Sequence, residues 1–467
     1  MIKIKKIKIE NNPILWNLDL DFTKDDGSIY DTILFVGENG SGKSTLMDIL
    51  YQFTRFEEQK LAENERRELV IDLSESNDRN IQNGIYKISF DLRDQNNVWG
   101  WDYYMRHYVI RYQENDYSRH VLSNYSDQYK NFIKSIFSVV SINFNAKIET
   151  STNKELDKHI SESLKSGEDI AKDITQTLVD IGIADDGDFA TWWRTHPEEV
   201  IDVNQLDIRS RRFKTAFNEM FSDTWLTYKW VYSLNPIFEK NNQEIEINRL
   251  SSGEKQIVFR WGFLLKDKQS ISWALVLVDE PEISMHPRWQ KKALDFYKNL
   301  FRDWAWNQTS QLIITTHSPY VLHSYNSNID CVVVFSSEWI KKIDSMRAYI
   351  WTTPSLWVIN WYAFNLPTIE FHDELYWYIQ DKTQNYTIPK FENYVTNLLR
   401  DRFDKTYNRI EEVNGTPQSS KPCTLQTFIR NKIHHPENIS MQHVDYTEWE
   451  LKQSIEDMIK CINNNSL

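Results

Sequence analysis

No stretch of this chain stays apolar long enough to cross a bilayer. The longest strongly hydrophobic segment, Ala274 to Val278, is closed off by Asp279 and Glu280, whereas a spanning helix needs about 20 apolar residues. A transporter with its own membrane domain is thereby excluded. The first ten residues, MIKIKKIKIE, interleave charge with isoleucine and contain no apolar block followed by small residues, so no secretion signal is expected. Cysteine is scarce: Cys331, Cys423 and Cys461 are scattered in the spacing of neither a disulfide framework nor a zinc site, which points to unpaired thiols in a reducing cytoplasm. Positive charge is also short. With 54 Lys+Arg against 67 Asp+Glu the formal net charge is −13, so the chain cannot bind nucleic acid through its average charge. Sustained heptads are missing from the long middle of the chain, which excludes an extended coiled-coil arm.

What remains is an ordinary globular composition, 40% hydrophobic and 26% charged, spread over 467 residues. That length exceeds what one core usually organises, so a main domain with at least one attachment is expected. Near the N-terminus Ile2 and Ile4 alternate with lysines, Ile7 and Ile9 resume in shifted phase, and Thr32 to Val36 is a short apolar run, all reading as strands. Leu46, Ile49, Leu50 and Phe53 fall at helical spacing after Lys43. From Leu250 onward, helices are expected over 254–265 and 289–301, and strands over 273–278, 311–315 and 331–335. The polar break Asp185 to Asp188 reads as a loop. After Pro367 the pattern turns helical, interrupted by a polar stretch from Gly415 to Pro422. These readings give an α/β head from residues 1–57 and 246–365, an insertion of helical and strand segments over 58–245, and an all-helical C-terminal domain over 366–467.

Three segments carry chemistry. Gly37-Glu38-Asn39-Gly40-Ser41-Gly42-Lys43-Ser44 lies between a predicted strand and a predicted helix. Glycines there let backbone N–H groups wrap a phosphate, with Lys43 reaching the terminal phosphates and Ser44 holding magnesium; Gly37, Asn39, Gly40, Gly42 and Thr45 complete the expected nucleotide contacts. Ala274 to Val278 is an apolar strand ending in Asp279 and Glu280, which places Asp279 at the magnesium and leaves Glu280 to orient the attacking water. Gln311 to Thr315 is a second such strand, followed by Thr316 and His317.

Leu250-Ser251-Ser252-Gly253-Glu254-Lys255-Gln256 resembles the ABC signature, with Ser252 in place of the first glycine. Pro281-Glu282-Ile283-Ser284-Met285-His286-Pro287 resembles the dimer-facing loop of ATPases of the OLD and SMC-like kind. The resemblance covers residues 1 to about 60 and 245 to about 350. It implies an ABC-type fold that binds and hydrolyses ATP with magnesium, with His317 touching the γ-phosphate. It also implies that Ser251, Ser252, Gly253 and Glu254 of one copy face the nucleotide held by another in a sandwich homodimer. The family's Q-loop glutamine has no counterpart after the strand-like segment Val139 to Phe144.

The C-terminal segment Thr424 to Pro436 sets Leu425, Phe428, Ile429 and Ile433 in one helical stripe. Its Arg430 and His435, with four residues between them, resemble the R-x4-6-H motif of HEPN domains, helical bundles that cleave RNA without metal. Histidine can move the ribose proton and arginine can stabilise the phosphate. ATPases paired with HEPN ribonucleases, as in anticodon nucleases of the PrrC and RloC kind, share this plan, which would make an RNA such as tRNA the substrate. The same arginine and histidines also suit a helix C-terminus that only binds a partner. Two further plans stay open: a Septu-type, PtuA-like scaffold for a co-encoded nuclease, and a RecF-like or SMC-like DNA clamp. Glu370, Asp373 and Glu374 read as a solvated face opposite Phe371, Leu375 and Tyr378, and the 18 tryptophans as core or interface packing.

Overall fold

The computed structural model describes residues 2–56, 61–62, 64–73, 84–92, 106–112, 120–122, 133–138, 162–163, 168–197, 209–232, 235–264, 274–302, 307–343, 346–351, 353–399, 405–407, 412–413, 416–417, 421–438, 441 and 443–464. The chain divides into two units, Met1–Asp344 and Ser345–Leu467.

In the first unit, β1 (Lys3–Asn12), β2 (Trp16–Asp21), β4 (Arg66–Asp72), β5 (Ile85–Leu92), β6 (Arg106–Tyr112) and β7 (His120–Leu122) form one antiparallel sheet in the order β2-β1-β4-β5-β6-β7. The phase change between Ile4 and Ile7 is a register shift of β1 against β4 between Ile4 and Lys6. An extra residue there lets Ile4, Ile7 and Ile9 all point inward, as a bulge does. At the bulge the buried amide of Gln311 accepts from the Ile4 N–H at 2.6 Å and donates to the Ile4 carbonyl at 3.2 Å.

The second sheet has the order β16-β15-β3-β14-β13-β8-β9, from β3 (Thr32–Gly37), β8 (Ser135–Ser138), β9 (Glu162–Ser163), β13 (Leu275–Val278), β14 (Gln311–Thr316), β15 (Asp330–Phe335) and β16 (Ile340–Ile343). All its pairs are parallel except β15 with β16. Every residue of β3, β13, β14 and β15 is buried, which is why these strands read as apolar runs with polar residues only toward their ends, rather than as alternations. Helix α1 (Lys43–Arg55) shares one hydrophobic core with both sheets: Leu46, Leu50 and Phe53 join Ile7, Ile9 and Ile71 from one and Phe35, Leu277 and Ile313 from the other.

Helices α2 (Glu168–Thr195) and α3 (Arg209–Met220) and the meander β10 (Leu226–Tyr232), β11 (Asn235–Lys240) and β12 (Gln243–Glu246) complete the unit with α4 (Ser252–Leu264) and α5 (Pro287–Leu300). Phe213, Phe217, Tyr228 and Phe238 pack ring against ring here, and Phe221 meets Trp289 of α5 edge-on at 4.8 Å. Among the described residues no helix is long and apolar enough to cross a membrane.

Three expectations about this unit need correction. The segment 58–245 is not a separate insertion, because β4 to β7 extend the antiparallel sheet from β1 and β8 lies beside β13 in the parallel one. Asp185 to Asp188 is not a loop but part of α2. Gly187 costs a helix about 1 kcal/mol, yet Leu178, Val179, Ile181 and Asp185 are buried and anchor the segment. Core packing also fails for some of this unit's tryptophans, Trp193, Trp225 and Trp230, which are exposed and keep only the interface reading.

The second unit holds α6 (Leu356–Phe364), α7 (Ile369–Thr383), α8 (Ile388–Leu399), α9 (Leu425–His434) and α10 (Glu448–Asn464), and begins before the expected boundary near Leu366. The segment ahead of that boundary is tied to α7, since Arg347 donates to the Tyr378 hydroxyl at 2.7 Å and Ser355 to Glu374 at 2.6 Å. Ser355, Thr368 and Thr424 cap α6, α7 and α9 with hydroxyl oxygens that accept the N–H three residues on. Helices dominate the unit, with two short antiparallel pairs added: β17 (Lys405–Tyr407) with β20 (Lys421–Cys423), and β18 (Glu412–Val413) with β19 (Thr416–Pro417). Glu374 is buried, not solvated, and burial pushes its carboxyl up.

Lys298 of α5 and Asp330 of β15 form a fully buried ion pair at 2.7 Å, and Asp330 also accepts the Asn326 N–H. Replacing Lys298 by Met strands the carboxylate in the core, and the expected loss is about 3–5 kcal/mol. Urea denaturation of Lys298→Met against the parent measures it; an unchanged midpoint contradicts the pair's role.

Candidate functional site

The loop between β3 and α1 is shaped by what its glycines permit. Gly37 has φ +131, and a Cβ there would lie 1.9 Å from the Phe335 carbonyl oxygen, so only glycine fits between β3 and β15. The loop then turns through Gly40 and Gly42, both at positive φ, and α1 starts at Lys43. The Lys43 ammonium is folded onto the loop itself, donating to the carbonyls of Gly37 at 3.1 Å and Glu38 at 2.6 Å and to the Ser41 hydroxyl at 3.3 Å. Burial pulls its pKa down to about 8, against the opposing pull of Glu280, Asp279, Glu282 and Glu38. Asn39 and Ser44 are exposed and Thr45 half-buried on the same loop and first turn.

Strand β13 delivers the carboxylates. Asp279 stands beside Ser44, whose hydroxyl donates to Oδ1 at 3.3 Å, and Thr315 of β14 donates to the same oxygen. Burial raises the Asp279 pKa, with the bonds from Thr315 and Ser44 working against it. Ser44 and Asp279 are a pair of hard oxygen donors, the set that magnesium takes when phosphate oxygens and water fill the rest of its shell.

Glu280 sits in the left-handed region at φ 43. Its N–H donates to Thr315 Oγ1 at 3.0 Å, and its Oε1 is 2.7 Å from His317 Nε2. The other ring nitrogen of His317, Nδ1, is 2.8 Å from the Gly37 carbonyl, so one imidazole spans the phosphate loop and the Glu280 carboxylate. The buried Glu282 accepts the His317 N–H at 2.7 Å, and burial raises its own pKa.

Ser251 to Glu254 open α4 as a reciprocal cap: Ser251 N–H donates to Glu254 Oε2 at 2.7 Å and Glu254 N–H to Ser251 Oγ at 3.4 Å. Lys240 pairs with Glu254 at 2.8 Å. Ser251 and Ser252 are exposed, and among the described residues none of the hydrogen bonds of Ser251, Ser252 and Gly253 reaches the phosphate loop. Lys43, Ser44, Asp279, Glu280 and His317 thus form one cluster, while the signature residues stand outside it. The segment Val139 to Phe144 lies outside the described residues.

Sequence reasoning missed three contributors: Thr315, Glu282 and Arg260, whose guanidinium donates to the Asp279 carbonyl at 2.8 Å. A lone cation in the apolar run Ile257-Val258-Phe259-Arg260-Trp261 was the available signal for the last.

In the C-terminal unit the side chains of Arg430 and His435 each bond elsewhere. Arg430 is on α9, bonded to Asn431 Oδ1 at 3.0 Å and lying over the Tyr376 ring. His435 is the exposed cap residue beyond the helix, its Nδ1 3.2 Å from Glu437. His434, four residues from Arg430 and therefore on its helix face, is the histidine with a carboxylate partner in the bundle: its Nε2 is 3.1 Å from Asp373 Oδ2. Asp373 also faces the fully buried His372, whose Nε2 lies 3.0 Å from Ser454 Oγ.

A glycine loop between a parallel strand and a helix, two carboxylates after a second buried strand and a histidine after the strand between the two define a P-loop ATPase head. The chain belongs to the family whose model is described as "AAA domain, putative AbiEii toxin, Type IV TA system", which it matches over residues 33–323. Among curated proteins it is 31% identical over 103 residues to the Retron Ec83 probable ATPase of Escherichia coli, covering 20% of this chain and 18% of the relative. It is 30% identical over 97 residues to the Retron Vc95 probable ATPase of Vibrio cholerae serotype O1 biovar El Tor, covering 19% of this chain and 18% of the relative. It is 29% identical over 99 residues to Septu protein PtuA of Bacillus thuringiensis, covering 19% of this chain and 24% of the relative. The chain therefore spans less than a quarter of the length of each. Solved structures similar to it include the Smc head domain of Pyrococcus furiosus bound to the C-terminal domain of ScpA, at TM-score 0.38 and 13% identity, covering 73% of this chain and 96% of that one. RecF-ATP of the RecFOR pathway is similar at TM-score 0.35 and 12% identity, covering 73% and 99%.

Lys43 generates a pH dependence. Its pKa of about 8 in the free protein must rise beside a bound polyphosphate, so affinity is full below that value and falls as pH climbs toward the pKa of the complex. The expected slope is about tenfold per pH unit above pH 8. Titration with a fluorescent ATP analogue from pH 7 upward checks this, and a flat profile contradicts it.

Proposed function

We propose that this chain hydrolyses ATP between two copies of itself, as the nucleotide switch of an anti-phage defence system. The observation that carries the reading is the single imidazole of His317 between the Gly37 carbonyl and the Glu280 carboxylate. It ties the loop that would cradle the phosphates to the group that would activate water. Lys43 would leave the loop's own carbonyls to meet the terminal phosphates, Asp279 and Ser44 would hold a magnesium ion, and Glu280 would take the proton of the attacking water. What such an ion would supply there is charge to neutralise the phosphates. Ser251 and Ser252 are exposed at the start of α4, where a hydroxyl, backbone N–H groups and a helix end suit a phosphate brought by a facing copy. The defence context rests on the names of the retron and Septu relatives.

Glu280→Gln should keep ATP affinity and lower turnover by at least about 100-fold, leaving a nucleotide-trapped dimer visible by light scattering. Phosphate release at the parental rate would remove Glu280 from that role.

A second reading places the effector within the chain, with the unit Ser345–Leu467 as a HEPN-like endoribonuclease controlled by the head. Its favouring observation is that Arg430 shares a helix face with His434, which Asp373 holds. Arginine would stabilise the phosphate and histidine move the ribose proton. Incubation of total RNA, tRNA included, with the parent, His434→Ala and His435→Ala, with and without ATP, tests it. Loss of cleavage in His435→Ala is expected if the motif pair acts, and in His434→Ala if the pair on one helix face acts; no cleavage by the parent in any nucleotide state points instead to a separate nuclease partner, as in a Septu-type scaffold.

A further inference from the structure

The helix that opens with the signature serines carries a charge in its most buried stretch. Arg260 lies in α4 beside Ile257, Val258 and Phe259, with no surface exposed. A buried guanidinium is tolerated where its donors are used. Two of them go to main chain: Nη1 to the Asp279 carbonyl at 2.8 Å and Nη2 to the Glu280 carbonyl at 3.3 Å. Arg260 therefore fixes the path of the backbone that presents the two carboxylates. That path needs fixing, because Glu280 is held at φ 43, a conformation that residues with a Cβ adopt reluctantly. From the opposite side Thr315 accepts the Glu280 N–H and donates to Asp279.

The first turn of α4 touches the same segment further along. A Cβ on Gly253 would lie 2.4 Å from the Ser284 carbonyl oxygen, so the helix start is flush against the turn that follows Glu280. Gly253 and Arg260 are seven positions apart, about 10 Å of helix. Helix α4 is thus fastened to residues 279–284 at two separated points. A displacement felt at Ser251 and Ser252 has a rigid route to Glu280.

We infer that Arg260 is a positioning residue that couples the signature serines to Glu280 of the same protomer, so that a nucleotide arriving on the facing copy sets the geometry of the water-activating carboxylate. Each protomer then hydrolyses its own ATP efficiently only when its signature is engaged, and the two sites fire together. This rests on the ATP-sandwich reading of the head.

Steady-state hydrolysis, ATP affinity and thermal melting are measured on the full chain for the parent, Arg260→Lys and Arg260→Met. Lysine keeps the charge but loses the two-pronged fork, so it remains informative if methionine prevents folding. The parent should show a Hill coefficient approaching 2. Arg260→Lys should bind ATP within about threefold of the parent and melt at the same temperature, with kcat at least about tenfold lower and a Hill coefficient near 1. A lysine variant with parental kcat and cooperativity overturns the coupling. So does one whose ATP affinity, melting temperature and kcat fall in parallel, which is the mark of a structural role. A parent that does not hydrolyse ATP overturns the sandwich reading itself, and the coupling with it.

Discussion

Three carboxylates follow one short strand, and the head is organised around keeping them close together beside a single lysine. Asp279, Glu280 and Glu282 all act electrostatically on Lys43, and burial raises the pKa of both Asp279 and Glu282. Like charges in a poorly solvated place repel, so each needs fixed donors. Asp279 has Ser44 and Thr315, Glu280 has His317, and Glu282 has the His317 main chain. None of these donors is near its acceptor in sequence. They converge only because β13 and β14 are parallel neighbours with β3 on the far side, so that three loops leave the sheet at the same end.

That convergence explains why the site was legible in the sequence while much of the chain around it was not. Buried parallel strands are apolar through their middles, with polar residues gathered at the ends, so Val278-Asp279-Glu280 and Thr315-Thr316-His317 announce themselves. Arg260 broke the pattern quietly, one cation among apolar residues on a helix, and its use depends on a main-chain turn that no sequence motif encodes. Strands β4 to β7 were hidden for a different reason. Pairing of β4 with β1 joins residues some sixty positions apart, and alternation within a segment marks a strand without naming its partner. In α2, local composition at Asp185 to Asp188 argued for a turn and lost to the packing of its neighbours.

In the C-terminal unit the spacing motif and the helix group the residues differently. Four intervening residues join Arg430 to His435 on paper, but an α-helix brings together positions three or four apart. The helix ends at His434, which keeps the carboxylate contact, and His435 turns outward. Glu374, taken from composition as a surface acid, instead fastens α6 to α7 through Ser355. For Glu374 the neighbouring helix decided the side chain's direction, which spacing along α7 could not give.

The bulge in β1 has a consequence for how this chain can change length. Removing one lysine between Ile4 and Ile7 would restore unbroken alternation and leave every isoleucine facing inward, so the hydrophobic pattern alone would count the deletion as harmless. Yet the irregular residue is where Ile4 turns both its backbone groups to Gln311, which stands at the head of β14 and so belongs to the other sheet. Straightening the strand would unfasten that clasp, and the two sheets would lose a direct polar link between them. A tidier strand would make a looser protein.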